Sequence, residues 1–302
     1  MISGVLVVDK PAGPTSFGVI RAVRKRFGLR KAGHTGTLDP FATGVLVVCL
    51  GQATKLVPYL QGGAKEYQAR VRLGVETDTL DPDGEVVREA AVPALSVQEV
   101  QAAAEPFLGV YDQQPPAYAA LKVNGRRAYA LARSGQVPAL QPRSVALHSL
   151  RVLGVEGSDL SLELSCGPGF YVRALARDLG AALGLPAHVV ALRRTRTGGF
   201  GLEASTPLAS LEAGDAPTVL LRPADALAEW RGLSLSEDEV LAVRQGKIPQ
   251  AQQGKLEEAG LCRLLDPSGE LVAVAEVDAG ALILKRVFNA EASSRRESDA
   301  LV

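Results

Sequence analysis

A single carboxylate, Asp39, lies in a glycine-rich turn just before a run of apolar residues. Gly33, Gly36 and Gly44 surround it, and glycine allows positive φ angles or close approach of the backbone to a ligand. Pro40 fixes its own φ and restricts Asp39 to extended geometry, so the backbone holds the carboxylate firmly. A lone carboxylate held at the start of a buried strand is a candidate catalytic residue.

The same tetrapeptide, Thr-Leu-Asp-Pro, occurs twice, at 37–40 and at 79–82. Because an aspartate before a proline commonly does no more than organise a turn, the repeat offers an internal comparison. The second copy has other carboxylates close on both sides and no cation nearby in sequence, which predicts an acidic, solvated hairpin turn. The first copy has no other acid between residues 9 and 66 and follows a basic stretch. These surroundings favour a chemical role for Asp39 over Asp81.

The chain has 33 basic and 33 acidic residues, so affinity for a polyanion must come from local patches. The sequence predicts three such patches. The first precedes the glycine-rich turn, the second lies in 113–142, and the third lies on a predicted strand at 189–197. We expect the second, which is bounded by prolines, to be a mobile arm that closes over a polyanion. The cations concerned are Arg21, Arg24, Lys25, Arg26, Arg30 and Lys31; Lys122, Arg126 and Arg127; and Arg193, Arg194 and Arg196.

Bulk composition indicates a soluble globular protein with room for one large and one small domain, since 47% of its 302 residues are hydrophobic and 22% charged. Three cysteines form neither a metal-binding spacing nor an even set of pairs, which fits a reducing cytoplasm. The acidic turn around 79–82 lacks the register of a calcium loop. No stretch approaches the ~18 apolar residues of a membrane span. We therefore expect a cytoplasmic protein without a metal site.

Hydrophobic periodicity predicts an α+β protein. We expect a large domain at 1–225, a small β-rich module at 226–290 and a disordered tail at 291–302. Predicted strands are 4–9, 45–50, 65–73, 143–155, 160–166, 189–197, 261–265, 271–277 and 282–287. Predicted helices are 17–27, 96–107, 170–183 and 235–246.

Four motifs, in order over about two-thirds of the chain, resemble those of a known family. Residues 33–44, Gly-His-Thr-Gly-Thr-Leu-Asp-Pro-Phe-Ala-Thr-Gly, resemble the catalytic signature of bacterial tRNA pseudouridine-55 synthases, the TruB family of pseudouridine synthases. Residues 4–11, 65–67 and 169–173 resemble that family's N-terminal, tyrosine and arginine motifs. The resemblance implies a pseudouridine synthase fold, with a mixed, mainly antiparallel central sheet flanked by helices and loops. It also implies that the C-terminal β-module is a PUA-like RNA-binding domain.

The resemblance further implies a reaction on one uridine, position 55 in the T loop of tRNA. The N-glycosidic bond breaks, the base rotates, and it rejoins the ribose through C5, with no cofactor or metal. Asp39 would be the essential carboxylate, as a nucleophile or as a base, and the sequence leaves both open. Arg173 would pair with Asp39 and keep it ionised. Tyr67 would stack on the flipped uracil, close to the proton that must move.

The other site residues implied by the resemblance bind RNA. His34 would occupy the space that the flipped base vacates, and Leu192 would form the pocket floor. Lys10 would either contact RNA or buttress the pocket. Segment 113–142, with Lys122, Arg126 and Arg127, resembles a thumb that grips the T stem-loop. The expected partner is tRNA alone, because nothing in the sequence demands a protein partner or more than a monomer.

Two alternatives come from other functional classes. A non-catalytic tRNA-binding protein or RNA chaperone of the same fold is opposed by the presence of Asp39, Tyr67 and Arg173. A hydrolase that uses Asp39 as nucleophile on a small molecule is opposed by the basic patches and by the lack of a partner acid or a catalytic base. The family resemblance therefore favours an isomerase that acts on tRNA.

Overall fold

The structure is a computed structural model that describes residues 2–118, 122–123, 126–127, 140–215, 218–249 and 258–289. Its helices are α1 (Ser16–Phe27), α2 (Val57–Leu60), α3 (Val97–Ala104), α4 (Val172–Ala182), α5 (Leu208–Ala213) and α6 (Glu237–Arg244). Its strands are β1 (Gly4–Lys10), β2 (Ala32–His34), β3 (Thr43–Leu50), β4 (Lys65–Leu73), β5 (Val75–Thr77), β6 (Val86–Glu89), β7 (Gly109–Gln113), β8 (Lys122–Val123), β9 (Arg126–Arg127), β10 (Arg143–Glu156), β11 (Asp159–Cys166), β12 (Ala187–Thr197), β13 (Phe200–Gly201), β14 (Thr206–Pro207), β15 (Arg231–Ser234), β16 (Gly260–Leu265), β17 (Leu271–Asp278) and β18 (Ala281–Val287).

A mixed sheet organises the large domain, with strand order β14-β1-β3-β12-β4-β11-β10-β7. Strand β2 pairs with β3, and β13 pairs with β12. The β1–β14 and β3–β12 pairs are parallel, and the other pairs of this sheet are antiparallel. A second sheet, β15-β16-β17-β18, forms the C-terminal module. The predicted α+β class with a mainly antiparallel central sheet is confirmed.

Local sequence explains the strands that carry the site. The apolar residues of β4 alternate with polar ones, and its buried positions are Tyr67, Ala69, Val71 and Leu73, as the sequence predicts. Strand β3 is continuously buried from Gly44 onward, which is typical of a central strand covered on both faces. The predicted bounds of β4 match those observed.

Glycine is required where β3 meets β12. Gly44 has φ +100°, and a Cβ at this position would lie 2.1 Å from the carbonyl oxygen of Arg194. The two backbones are therefore in direct contact, at the register pair Arg194–Gly44. This close approach brings the end of the Asp39 loop against β12.

Apolar side chains cover both faces of the large sheet. On one face, a core that includes Val19, Leu175 and Leu179 packs α1 and α4 against the strands. On the other face, Val47 belongs to a cluster that also contains Val274 of the C-terminal sheet, so this sheet packs directly on the large one. Because the helices and the C-terminal module cover the faces of the large sheet, the site lies near the ends of its strands.

Several sequence predictions fall outside the described residues. These are the tail at 291–302 and much of the arm at 113–142, in which only the short β8–β9 hairpin and the flanking residues are described. The domain boundary at 225 and the PUA-like identity of the C-terminal module stay predictions. Within the described part of the chain, no helix is long and apolar enough to cross a membrane.

Candidate active site

The loop between β2 and β3 holds Asp39 in place through hydrogen bonds along its backbone. Ser16, at the start of α1, donates its hydroxyl to the Leu38 carbonyl at 2.9 Å and accepts from the Leu38 amide at 2.8 Å. The Ala42 amide donates to the Asp39 carbonyl at 3.1 Å, which closes a tight turn over Pro40. Because the backbone groups on both sides of Asp39 are hydrogen-bonded, the backbone position from which its carboxylate side chain extends is fixed.

Lys10 stabilises the same loop through hydrogen bonds to its backbone. Its side chain has no solvent-exposed surface, and its ammonium donates to the carbonyls of Pro11, Pro40 and Ala42 at 2.8, 3.0 and 2.6 Å. Of the two roles that the sequence left open for Lys10, this geometry supports the buttress and not an RNA contact. Burial lowers the Lys10 pKa to about 8, and the nearby charge of Asp39 opposes that shift.

The lowered pKa predicts a pH-dependent stability contribution from Lys10. Since the pKa is 10.5 in the unfolded chain and about 8 in the folded one, folding disfavours the ammonium. The free-energy cost of burying the charged ammonium is therefore greatest below pH 8, and it decreases as the pH rises from 8 to 10.5. Above pH 8, the free energy of unfolding of the wild type should therefore increase relative to that of Lys10→Met by about 1 kcal/mol per pH unit. Urea unfolding of both proteins at pH 7, 8 and 9 measures it, and a constant difference would refute this assignment.

Arg173, the second residue of α4, joins two carboxylates. Its side chain is buried, and its Nε lies 2.9 Å from Asp39 Oδ2, an ion pair without hydrogen-bond geometry. Its Nη1 donates to Asp81 Oδ2 at 2.9 Å and to the Thr79 carbonyl at 2.8 Å, while Nη2 donates to the Tyr118 carbonyl at 3.2 Å. The guanidinium is thus fixed by Asp81 and two carbonyls and presents one edge to Asp39.

The prediction that Asp81 belongs to a solvated turn without nearby cations is wrong. Asp81 is 6% exposed and pairs with Arg173, which lies 92 residues later in the sequence. Leu80 adopts φ +61°, and its carbonyl accepts from the amide of Val189 on β12, so this turn packs against the sheet. Burial raises the Asp81 pKa, and bonds from Thr79 and the charge of Arg173 oppose the rise. Both copies of Thr-Leu-Asp-Pro therefore deliver their aspartate to one arginine.

Asp39 and Arg173 line a cavity of about 340 Å³ that opens to solvent. Tyr67 of β4 forms one wall, and burial raises its pKa, so the phenol stays protonated at neutral pH. Asp39 is one-third exposed at this cavity, Arg173 is a buried part of its lining, and Asp81 is buried and pairs with Arg173 without lining the cavity. The cavity therefore brings an accessible carboxylate together with the buried guanidinium groups of Arg173 and Arg194 and the ring of Tyr67.

Comparison with known proteins agrees with the sequence resemblance. Residues 24–172 match the model of the TruB family pseudouridylate synthase N-terminal domain, and residues 173–227 match that of the tRNA pseudouridylate synthase B C-terminal domain. A tRNA pseudouridine synthase B from Syntrophotalea carbinolica is 38% identical over 97% of this chain and 100% of its own length. The chain belongs to the TruB family of pseudouridylate synthases.

Further TruB relatives support the same assignment. Proteins named tRNA pseudouridine synthase B from Xanthomonas campestris and Thiobacillus denitrificans are each 42% identical over 95% of this chain, and over 94% and 96% of their own lengths. A solved structure described as an H/ACA RNP bound to a substrate RNA containing 2'-deoxyuridine superimposes with a TM-score of 0.71 at 26% identity. That match covers 95% of this chain and 85% of the other. The fold is therefore that of a pseudouridine synthase.

The other residues predicted from the TruB motifs have different positions. Leu192 lines the cavity, as the resemblance implies. His34 is not among the residues that line it; it lies on β2, half-buried, and its Nδ1 has no hydrogen-bond partner. The side chains of Lys122, Arg126 and Arg127 lie outside the described part of the structure. The roles of all these residues in the TruB reaction stay predictions.

The prediction of a third basic patch, on the strand at 189–197, is also wrong. Arg194 is 1% exposed, while its neighbour Arg193 pairs with Asp9 at 2.8 Å, and Arg196 pairs with Glu203 at 3.2 Å. Alternation along β12 places consecutive arginines on opposite faces, and a count of cations in sequence does not reveal this difference. Sequence reasoning therefore missed both Arg194 and Asp81 as site residues, although the repeated tetrapeptide was a signal for the second.

Proposed function

We propose that this chain isomerises a uridine of tRNA to pseudouridine, at position 55 of the T loop, with Asp39 as the essential carboxylate. The observation that carries the proposal is the ion pair between Asp39 and Arg173, which come from two of the four motifs of the family resemblance and lie beside Tyr67 in one cavity. The names of the relatives support tRNA as the substrate. The three side chains come from a loop, a helix and a strand far apart in sequence.

The arrangement suits cleavage and re-formation of a glycosidic bond. A uridine in a folded loop must leave its stack before a side chain can reach the glycosidic carbon, and an open cavity can receive the flipped base. Asp39 is the accessible carboxylate, and the Nε of the buried Arg173, 2.9 Å from its Oδ2, holds it in place. Tyr67 offers a flat apolar face for the base and a hydroxyl that is protonated at neutral pH.

Tyr67→Phe separates these two contributions of the tyrosine. The variant keeps the ring that stacks on the base and loses only the hydroxyl. If the hydroxyl takes part in proton movement, the single-turnover rate should fall by about 10²-fold or more with tRNA affinity unchanged. Rapid-quench assays and filter binding measure the two quantities. A rate equal to that of the wild type would limit Tyr67 to stacking.

An unmodified tRNA transcript tests the proposed function directly. Purified protein should convert uridine 55 to pseudouridine, detected by chemical mapping, and should leave a transcript with cytidine at position 55 unmodified. Asp278→Asn, an exposed carboxylate of the C-terminal module, is the control variant and should retain activity. Absence of pseudouridine with the wild-type chain would refute the proposal and favour a binding or chaperone function of the same fold.

We further propose that the chain acts as a monomer, in the cytoplasm, without a protein partner or cofactor. The three cysteines form neither a metal-binding spacing nor an even set of pairs, which supports the cytoplasmic location. The solved neighbour described as an RNP complex makes the question a real one. Sedimentation of the purified chain alone and with tRNA, alongside the pseudouridine assay, tests it. Activity that requires an added protein would overturn this part of the proposal.

A further inference from the structure

Adjacent arginines on β12 have opposite environments. Arg193 is about two-fifths exposed in its side chain and pairs with Asp9. Arg194 is 1% exposed, and among the described residues no carboxylate lies within 4 Å of its guanidinium. Burying a guanidinium without a counter-ion is costly unless its donors are satisfied in another way.

Backbone carbonyls at the two ends of the Asp39 loop satisfy Arg194. On the upstream side, Nη2 donates to the Gly36 carbonyl at 3.1 Å and Nη1 to the Thr37 carbonyl at 3.3 Å. On the downstream side, Nε donates to the Val45 carbonyl at 2.8 Å. Because the guanidinium is a rigid planar fork, these bonds fix the distance between the segments that enter and leave the loop.

Arg194 also contacts the tyrosine of the cavity. It is the cross-strand partner of Tyr67 in the β12–β4 ladder, and both residues line the cavity with Asp39. Burial raises the Tyr67 pKa, and the charge of Arg194, together with a side-chain hydrogen bond from it, works against that rise. One side chain thus bonds the loop that carries the carboxylate and lies next to Tyr67 on the neighbouring strand.

We infer that Arg194 is a positioning residue that sets the Asp39 loop and the Tyr67 side chain at a fixed separation, so that carboxylate and phenol face the same base. The inference rests on the proposed function for its catalytic consequence. Its structural part, that the planar fork of Arg194 fixes the loop, stands on the three carbonyl bonds alone. Lysine can supply the charge of this residue but not the fork.

The test compares Arg194→Lys and Arg194→Met with Arg193→Met as the matched control. In single-turnover assays on tRNA transcript, Arg194→Lys should lower the rate constant by about 10²-fold, because an error of about 1 Å in position costs that much. The dissociation constant for tRNA should stay within about twofold, since affinity for RNA comes mainly from accessible cations and Arg194 is 1% exposed. Arg193→Met should keep the wild-type rate within about threefold, because its ion pair is partly exposed.

Hydrogen exchange gives a readout independent of activity. Peptides that cover residues 35–45 should exchange at least about tenfold faster in Arg194→Lys than in the wild type, and peptides from α3 should not change, since only loop opening becomes easier. Unchanged exchange at 35–45, or a full rate in Arg194→Lys, would overturn the inference. A wild type that forms no pseudouridine would instead overturn the proposed function, and the exchange data would still decide whether Arg194 fixes the loop. If Arg194→Met does not fold, the lysine variant carries the test.

Discussion

Asp39→Asn should lower the rate of pseudouridine formation by at least about 10⁴-fold, as expected when the reacting group of an enzyme is removed. The amide keeps the shape of the carboxylate but can act neither as a strong nucleophile nor as a base. Tight binding of tRNA should persist, because affinity for RNA comes mainly from lysine and arginine contacts to phosphates and Asp39 is an anion. Single-turnover assays with excess enzyme and filter binding on the same preparations measure both quantities.

The same variant should fold normally. Asp39 is one-third exposed, and Arg173 keeps the Asp81 carboxylate and two carbonyls when Asp39 is neutral. The free energy of unfolding should therefore change by no more than about 1 kcal/mol. Asp278→Asn again serves as the control. Residual activity of Asp39→Asn close to that of the control would contradict the role of Asp39, and loss of tRNA binding in a folded variant would contradict the separation of binding from chemistry.

Much of the fold follows from local sequence. The bounds of β4 follow from strict alternation, and the start of α3 follows from Ser96 and Glu99, which form a capping box. The buried β3 follows from an unbroken apolar run. These features depend on neighbours within a few residues. The order of strands in the sheet depends on pairings between distant segments, and neither alternation nor capping determines it.

The candidate site also has parts that local sequence predicts and parts that depend on distant segments. Glycines and a proline around Asp39 are visible in sequence, and so is the unusual loop they form. The surroundings of Asp81 are not, because its cation comes from Arg173 on a helix that follows much later, and because Leu80 adopts a left-handed conformation unexpected for a leucine. Local charge counts therefore gave the wrong environment for Asp81, and for Arg194 as well. The family resemblance named Asp39, Tyr67 and Arg173 without revealing what fixes them.

Removal of the shared arginine should have the largest effect on stability. Arg173→Met leaves Asp81 buried without its cation, and breaking a buried pair in this way costs about 3–5 kcal/mol. Burial already raises the Asp81 pKa, and loss of the guanidinium raises it further. Since the folded-state pKa then lies above the unfolded one, protonation favours the folded variant, and its deficit relative to the wild type should shrink as the pH falls. Urea unfolding of both proteins at pH 7.5 and 5.5 measures this trend.

A double variant separates the structural role of Arg173 from its role at Asp39. Asp81→Asn in the Arg173→Met background removes the unpaired charge, so it should recover about 2 kcal/mol of the lost stability. Activity should stay at least about 10³-fold below the wild type, because the guanidinium that pairs with Asp39 and orients it is then missing. Asp81→Asn alone should lower the rate less, by about tenfold, since Arg173 keeps its two carbonyl bonds. Recovery of activity together with stability would show that Arg173 serves only to neutralise Asp81, whereas recovery of stability alone assigns the arginine to the reacting carboxylate.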